Sequence, residues 1–211
     1  EAEEIIAGLE AIRAKIASGE IVFDVEDEDI HMGIESRLIQ EIGQVGKKLH
    51  TARSRNDQCQ VDGRLYLKKE IRQVIRSLLE LEEVILEKAE KYADAITVGF
   101  THMQHAQPIT IGFVFMAYFQ MFRRDIERLM DGYERMNLCP LGACALAGTT
   151  LPTNRHRTAA LLGFAGPTEN AMDSVSDRDY SLEFLSAASI SMMHLSRWAE
   201  EFVWWNSQEF S

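Results

Sequence analysis

Apolar residues recur by threes and fours along most of the chain, the spacing that gathers them on one face of an α-helix. Ile5, Leu9, Ile12 and Ile16 make the first such series and stop before Gly19. Ile30, Ile34, Leu38 and Ile42 make the second, introduced by Glu26-Asp-Glu-Asp29, whose charges suit the positive end of a helix dipole, and ended near Gly43. A third series runs from Leu67 through Ile71, Val74, Leu78, Leu81 and Ile85 to Ile96. It predicts a helix over about Val61–Ile96, roughly 54 Å long at the standard rise per residue. Thr110 can cap a second long helix bearing Val114, Tyr118, Phe122, Ile126, Leu129 and Met136. A linker from Pro140 to Pro152 precedes a short helix over about Asn154–Leu162. The last helix follows Asp173-Ser-Val-Ser-Asp-Arg-Asp179 and runs to about Asn206. Between Phe184 and Trp205 it is apolar on nearly every side, which places it in a bundle centre or a subunit interface. No stretch reads as a strand. The pattern predicts an all-α protein, a bundle of long helices.

Composition narrows what such a bundle can do. The 211 residues suit one large domain or one and a half small ones, and 22 basic against 33 acidic residues give a net charge of −11. A general binder of nucleic acid or anionic membrane is excluded, because no basic field would draw phosphates in. A local basic pocket for a small anion stays open. Cys59, Cys139 and Cys144 form neither an even disulfide framework nor zinc-spaced pairs, which points to a reduced, cytoplasmic setting. The apolar run Ile111–Phe119 is too short to cross a bilayer, and the opening Glu-Ala-Glu-Glu carries no signal-peptide pattern.

Three polar segments interrupt the helices, where unpaired N–H groups are open to anions. In His50-Thr-Ala-Arg-Ser-Arg-Asn-Asp-Gln58, guanidinium forks, a hydroxyl and amides could converge on a carboxylate, and composition alone serves a solvated basic loop equally well. Thr101-His-Met-Gln-His-Ala-Gln-Pro108 holds two histidines three apart, suited to proton transfer near neutral pH; no nearby carboxylate or cysteine completes a metal site. His105 is expected to hydrogen-bond a helix end. Asp173–Asp179, taken alone, is a helix start with internal ion pairs. The glycines of Pro140-Leu-Gly-Ala-Cys-Ala-Leu-Ala-Gly148 lack a following Gly-Lys-Ser/Thr, so no nucleotide P-loop is present, and Gly142 and Gly148 serve tight turns or close backbone approach.

In this order, Glu28-Asp-Ile-His31, Gly46–Gln58, Thr101–Pro108, Pro140–Gly148 and Asp173–Asp179 resemble the argininosuccinate lyases, a family of the fumarase and aspartase superfamily. The resemblance covers essentially the whole chain. It implies a long-helix bundle, here incomplete, with residues 1–57 closing a small helical N-terminal domain and residues 58–211 forming much of the central bundle. It implies reversible elimination of argininosuccinate to arginine and fumarate, with no cofactor and no metal. Ser54, Arg55 and Asn56 would bind the fumarate-side carboxylates, with Thr101 adding a hydroxyl contact, and His102 would move protons or orient the groups that do. Asp29 and His31 match positions near the active site, and Gln107 and Arg178 line it less directly. The family's mobile loop, bearing a serine base and a lysine for the carbanion, has no counterpart in these residues, so the chain reads as the central part of a longer protein. The resemblance further implies a homotetramer whose active sites draw segments from three subunits. Arg55, His102 and Asp177 are therefore expected to lie far apart within one chain. Another lyase of the superfamily and a non-catalytic, crystallin-like structural protein are the alternatives.

Overall fold

In a computed structural model, which describes residues 1–208 and 210, seven α-helices carry the chain. Glu209 and Ser211 lie outside the described residues. Helices α1 (Ala2–Ala17) and α2 (Ile30–Ile42) pack closely, since a Cβ on Gly8 would fall 2.6 Å from Leu38 Cδ1. The acidic run between them works through caps. Asp24 caps a 3₁₀ turn at Val25–Asp27, and Asp29 caps α2 by accepting the Met32 N–H at 2.7 Å.

After a 3₁₀ segment, Gly43–His50, helix α3 (Arg55–Lys91) begins six residues before its apolar series suggests. Ser54 and Asp57 form a capping box, each accepting a backbone N–H of the other's end, so the polar Arg55-Asn-Asp-Gln58 is the first turn of a helix. At the far end, a hairpin of β1 (Ile96–Thr101) and β2 (Gln104–Thr110) occupies residues expected to be helical or irregular. Gly99 and Pro108, which resist helix, sit in register beside one another's neighbours across this hairpin. Thr110 then caps α4 (Ile111–Met136), which returns along α3. The remaining elements are β3 (Leu138–Cys139), α5 (Arg155–Leu161) capped by Asn154, β4 (Gly166–Pro167), α6 (Ala171–Ser176) and α7 (Asp179–Trp205). The Asp173–Asp179 segment is thus not simply the start of the last helix. Its first half is α6, capped by Asn170, and the chain turns at Asp177 before α7.

The main core lies among α3, α4 and α7, with Ile71, Leu78 and Ile85 against Phe115, Tyr118, Phe122 and Leu129. Phe122 is fully buried, and the Trp198 ring meets it edge-on at 5.7 Å. A polar clamp crosses this core, in which buried Asp125 accepts from Arg128 at 2.9 Å and pairs with His194 Nδ1 at 2.7 Å. A smaller cluster of Val61, Cys139, Ala159 and Phe164 holds α5 to α3. Much of α7 stays uncovered, with Leu182, Leu185, Met192 and Val203 all exposed. Among the described residues no helix is long and apolar enough to cross a membrane.

Truncating Phe122→Ala should cost about 3–5 kcal/mol by removing a fully buried ring, read as a lower urea midpoint. Tyr118 gives a second check. Burial, then the adjacent Glu201 carboxylate, pushes its phenol up to about 12 from 10.0. The fold holds the protonated form, so this contribution is complete below pH 10 and is lost as pH rises through about 12. Ultraviolet titration should show one late phenolate that Tyr118→Phe lacks.

Candidate functional site

Everything at the start of α3 is organised by one buried carboxylate. Asp57 is fully buried; its Oδ1 accepts the Ser54 N–H at 2.9 Å, and its Oδ2 accepts from Gly142 at 2.9 Å and Cys144 at 2.8 Å. The glycine loop after α4 is thereby latched to the helix start. Positive φ at Gly142 (99°) and Gly148 (78°) shows the turns that this loop needs. Asn56 reinforces the latch by donating from Nδ2 to Ala145 O at 2.9 Å, so part of its hydrogen-bonding capacity is already committed.

Arg55 is held from two sides, by Asp29 Oδ2 at 2.8 Å from Nε and by Gln58 Oε1 at 2.6 Å from Nη1. Asp29 also caps α2; the Met32 N–H first, and then the charges of Arg55 and His31, hold its carboxyl below the usual range. His31 Nε2 lies 2.6 Å from Asp62 Oδ2, while its Nδ1 is buried without a hydrogen-bond partner among the described residues. Ser54, Arg55, Asn56, Asp29 and His31, named from sequence, thus form one neighbourhood. Arg53, one of the two guanidinium forks of this segment, belongs with them, although the family resemblance assigned it no role. Burial pushes its guanidinium below the ordinary arginine value, against the opposing charges of Asp57, Glu35 and Asp62. A desolvated cation with no ion pair among the described residues is suited to an incoming carboxylate.

The same face of α3 carries further polar groups that sequence inspection passed over. Gln60, Arg64 and Lys68 follow Asp57 at helical spacing, and all are buried. Arg64 donates from Nη1 to Leu138 O at 3.1 Å and from Nη2 to Asp177 Oδ2 at 2.5 Å, with Tyr180 beneath it. With its amide turned to suit its neighbours, Gln60 donates to Asp177 O at 3.1 Å and accepts from Arg178 at 2.9 Å. Arg178 therefore joins the α3 face. This corrects the expectation that all three polar segments lie apart, because Asp173–Asp179 packs a few turns from Ser54.

The histidine segment does lie apart. Its hairpin is anchored at the other end of α3, where Ile111 N–H donates to Ala95 O at 2.9 Å and Gly112 N–H to Tyr92 O at 3.0 Å. The two ends of α3 are roughly 54 Å apart along the axis. His102 and Met103 form a two-residue turn with φ of 52° and 60°. Such turns favour Asn-Gly, so these residues occupy a strained, exposed position. His105 does not bond a helix end; it meets the Phe100 ring edge-on at 5.2 Å. Thr101 and Gln107 line a cleft of about 600 Å³ between the hairpin and the end of α7, together with Tyr118, Arg197 and Glu201. Among the described residues no group of three or more His, Cys, Asp or Glu is placed to hold a metal.

The whole chain, residues 1–211, matches a family model described as Lyase. It is 57% identical over 211 residues to an argininosuccinate lyase of Heliobacterium mobile, all of this chain against 46% of that protein. It therefore spans less than half the length of that relative. The fold is similar to a crystal structure of EDDS lyase in complex with formate, with a TM-score of 0.90, 34% identity, and coverage of 98% of this chain and 40% of that one. A fumarate lyase:delta crystallin from Brucella melitensis, bound to cobalt, shares the fold with a TM-score of 0.80 at 23% identity, over 99% of this chain and 52% of that one.

Replacing Asp57→Ala leaves three backbone N–H groups without their acceptor. It should cost about 3 kcal/mol or more, seen as a lower thermal midpoint. Hydrogen exchange should rise together at Ser54, Gly142 and Cys144, while the Phe122 region keeps its protection.

Proposed function

We propose that this chain, which belongs to the lyase family matched by residues 1–211, is the central part of an argininosuccinate lyase that eliminates arginine from argininosuccinate to leave fumarate. The observation that carries the reading is the similarity to an argininosuccinate lyase over every residue of the chain, with the five matching segments in order. Residues 1–57 would close an N-terminal helical domain and residues 58–211 form much of the central bundle. Carbon–nitrogen elimination beside a carboxylate needs fixed donors on the carboxylates, a base for the adjacent proton and an acid for the departing nitrogen. Ser54, Arg55 and Asn56, with Arg53 beside them, supply donors at one end of α3. Thr101, Gln107 and His102 supply a hydroxyl, an amide and a proton-transfer group at the other, with Asp29, His31 and Arg178 supporting the first end.

Groups so far separated can meet on one substrate only if neighbouring chains bring opposite ends of α3 together. A homotetramer with shared active sites, in the cytoplasm, suits this requirement and the uncovered apolar side chains of α7. The chemistry is within reach of protein side chains without a cofactor. The serine base and the lysine of the family's mobile loop have no counterpart in residues 1–211, so the full-length protein is the one to assay.

The strained turn gives a discriminating test. His102→Asn with Met103→Gly installs the pair that this turn prefers, so thermal stability should hold or rise. Release of fumarate and arginine from argininosuccinate should fall by about 10²–10⁴-fold. Turnover within tenfold of the parent would remove His102 from proton transfer, and release of fumarate from another adduct in place of argininosuccinate would point to a different lyase of the same fold.

A further inference from the structure

Several surface cations of this acidic chain are paired with carboxylates, among them Lys15 with Glu41, Arg37 with Asp27, Lys48 with Glu1 and Arg135 with Glu183. One stretch of α3 departs from that pattern. Lys68, Lys69, Arg72 and Arg76 succeed one another on a single helical face and line a groove of about 420 Å³, closed on one side by Leu162 and Gly163. None of the groove's lining residues is acidic, and none of the four cations makes an ion pair among the described residues.

The groove is built as well as charged. Lys68 forms its floor, only 5% exposed, with Nζ donating to Asn137 Oδ1 at 2.6 Å and Gly163 O at 2.5 Å above the Phe164 ring. Arg72 is steadied by the Tyr133 hydroxyl, to which it donates, and by that ring's face at 5.2 Å. Lys69 and Arg76 are exposed and free to turn inward. Burial first, and then the like charge of Arg72, pushes the Lys68 ammonium below its ordinary value, against the opposing influence of Cys139 and Glu134.

We propose that this groove binds a small multivalent oxyanion of the polyphosphate class. Lys69 and Arg76 are seven residues apart in the sequence, roughly 10 Å along the axis, with Arg72 between them. A single carboxylate or phosphate can engage one guanidinium fork, whereas linked phosphates can engage two or three cations at once. The groove lies roughly 20–33 Å along α3 from Ser54, so it is separate from the carboxylate-binding neighbourhood and does not depend on how that neighbourhood is read.

Calorimetric titration of the full-length protein with pyrophosphate tests this directly. The parent should bind, with inorganic phosphate about tenfold weaker or more. Lys69→Gln with Arg76→Gln should weaken pyrophosphate at least tenfold without moving the thermal midpoint, since both side chains are exposed and unpaired. Arg13→Gln with Lys88→Gln removes the same charge elsewhere and should leave affinity unchanged. No pyrophosphate binding, equal affinity for phosphate, or equal losses in the two double variants would each overturn the proposal.

Discussion

The fold and the candidate site both hang on a buried polar stripe along α3. Asp57, Gln60, Arg64 and Lys68 point to one side of the helix, and each secures a different part of the chain that follows α4. Burying such groups is unfavourable unless nearly every donor and acceptor is matched. Here the matching partners lie in the segments that follow α4: the Gly142 and Cys144 N–H groups, the Leu138 and Gly163 carbonyls, and the Asp177 carboxylate. The stripe therefore fixes the register of the loops against the helix, which apolar packing alone would leave free to slide. It also sets where Ser54 and Asn56 stand, because the carboxylate that latches the glycine loop is the one that closes the α3 cap.

From that constraint follows a division of labour along the helix. The apolar core of Ile71, Leu78, Ile85 and Phe122 lies towards the middle and far end of α3, and makes it a stiff strut between two chemically distinct ends. One end gathers cations, a hydroxyl and N–H groups; the other offers imidazole, hydroxyl and amide on an exposed hairpin. Rigidity of this kind is useful to an enzyme only if the ends are completed by something else. In the proposed shared-site arrangement, the uncovered leucines and methionines of α7 are the surface for holding copies of the chain in the needed positions.

Several helix boundaries were legible in the sequence where a cap or a glycine marked them. Thr110 caps the helix expected of it, α5 begins within a residue of the expected Asn154, and the loop glycines do take positive φ. The hairpin was not legible. Ile96, Val98 and Phe100 do alternate with Thr97, Gly99 and Thr101, but Ile96 also continues the helical series before it, and the exposed Gln104–Pro108 offers no apolar alternation to pair with. The early start of α3 was hidden because its first turn is polar throughout and only the Ser54–Asp57 capping box reveals it. The buried stripe was missed for a related reason. Spacing shows that Asp57, Gln60, Arg64 and Lys68 share a face, but charged residues on a helix ordinarily face water, and only the loops placed opposite make this face an interior one.

Where local rules are broken, the break itself carries information. A two-residue turn built from His102 and Met103 at positive φ is held without buried side chains to compensate, so stability does not account for the choice of residues. His31 Nδ1, buried without a hydrogen bond and 3.8 Å from Asp29 Oδ1, and the desolvated Arg53 guanidinium pose the same problem at the other end of α3. Each is unfavourable in an isolated chain, and each would be relieved by a ligand that carries negative charge or exchanges a proton. These departures cluster at the two opposite ends of α3, while the α3–α4 interior is well packed around Phe122, an arrangement that suits the proposed site shared between chains. The strain is local to the groups that would touch the substrate, and the stiffness lies in the helix that would bring them to it.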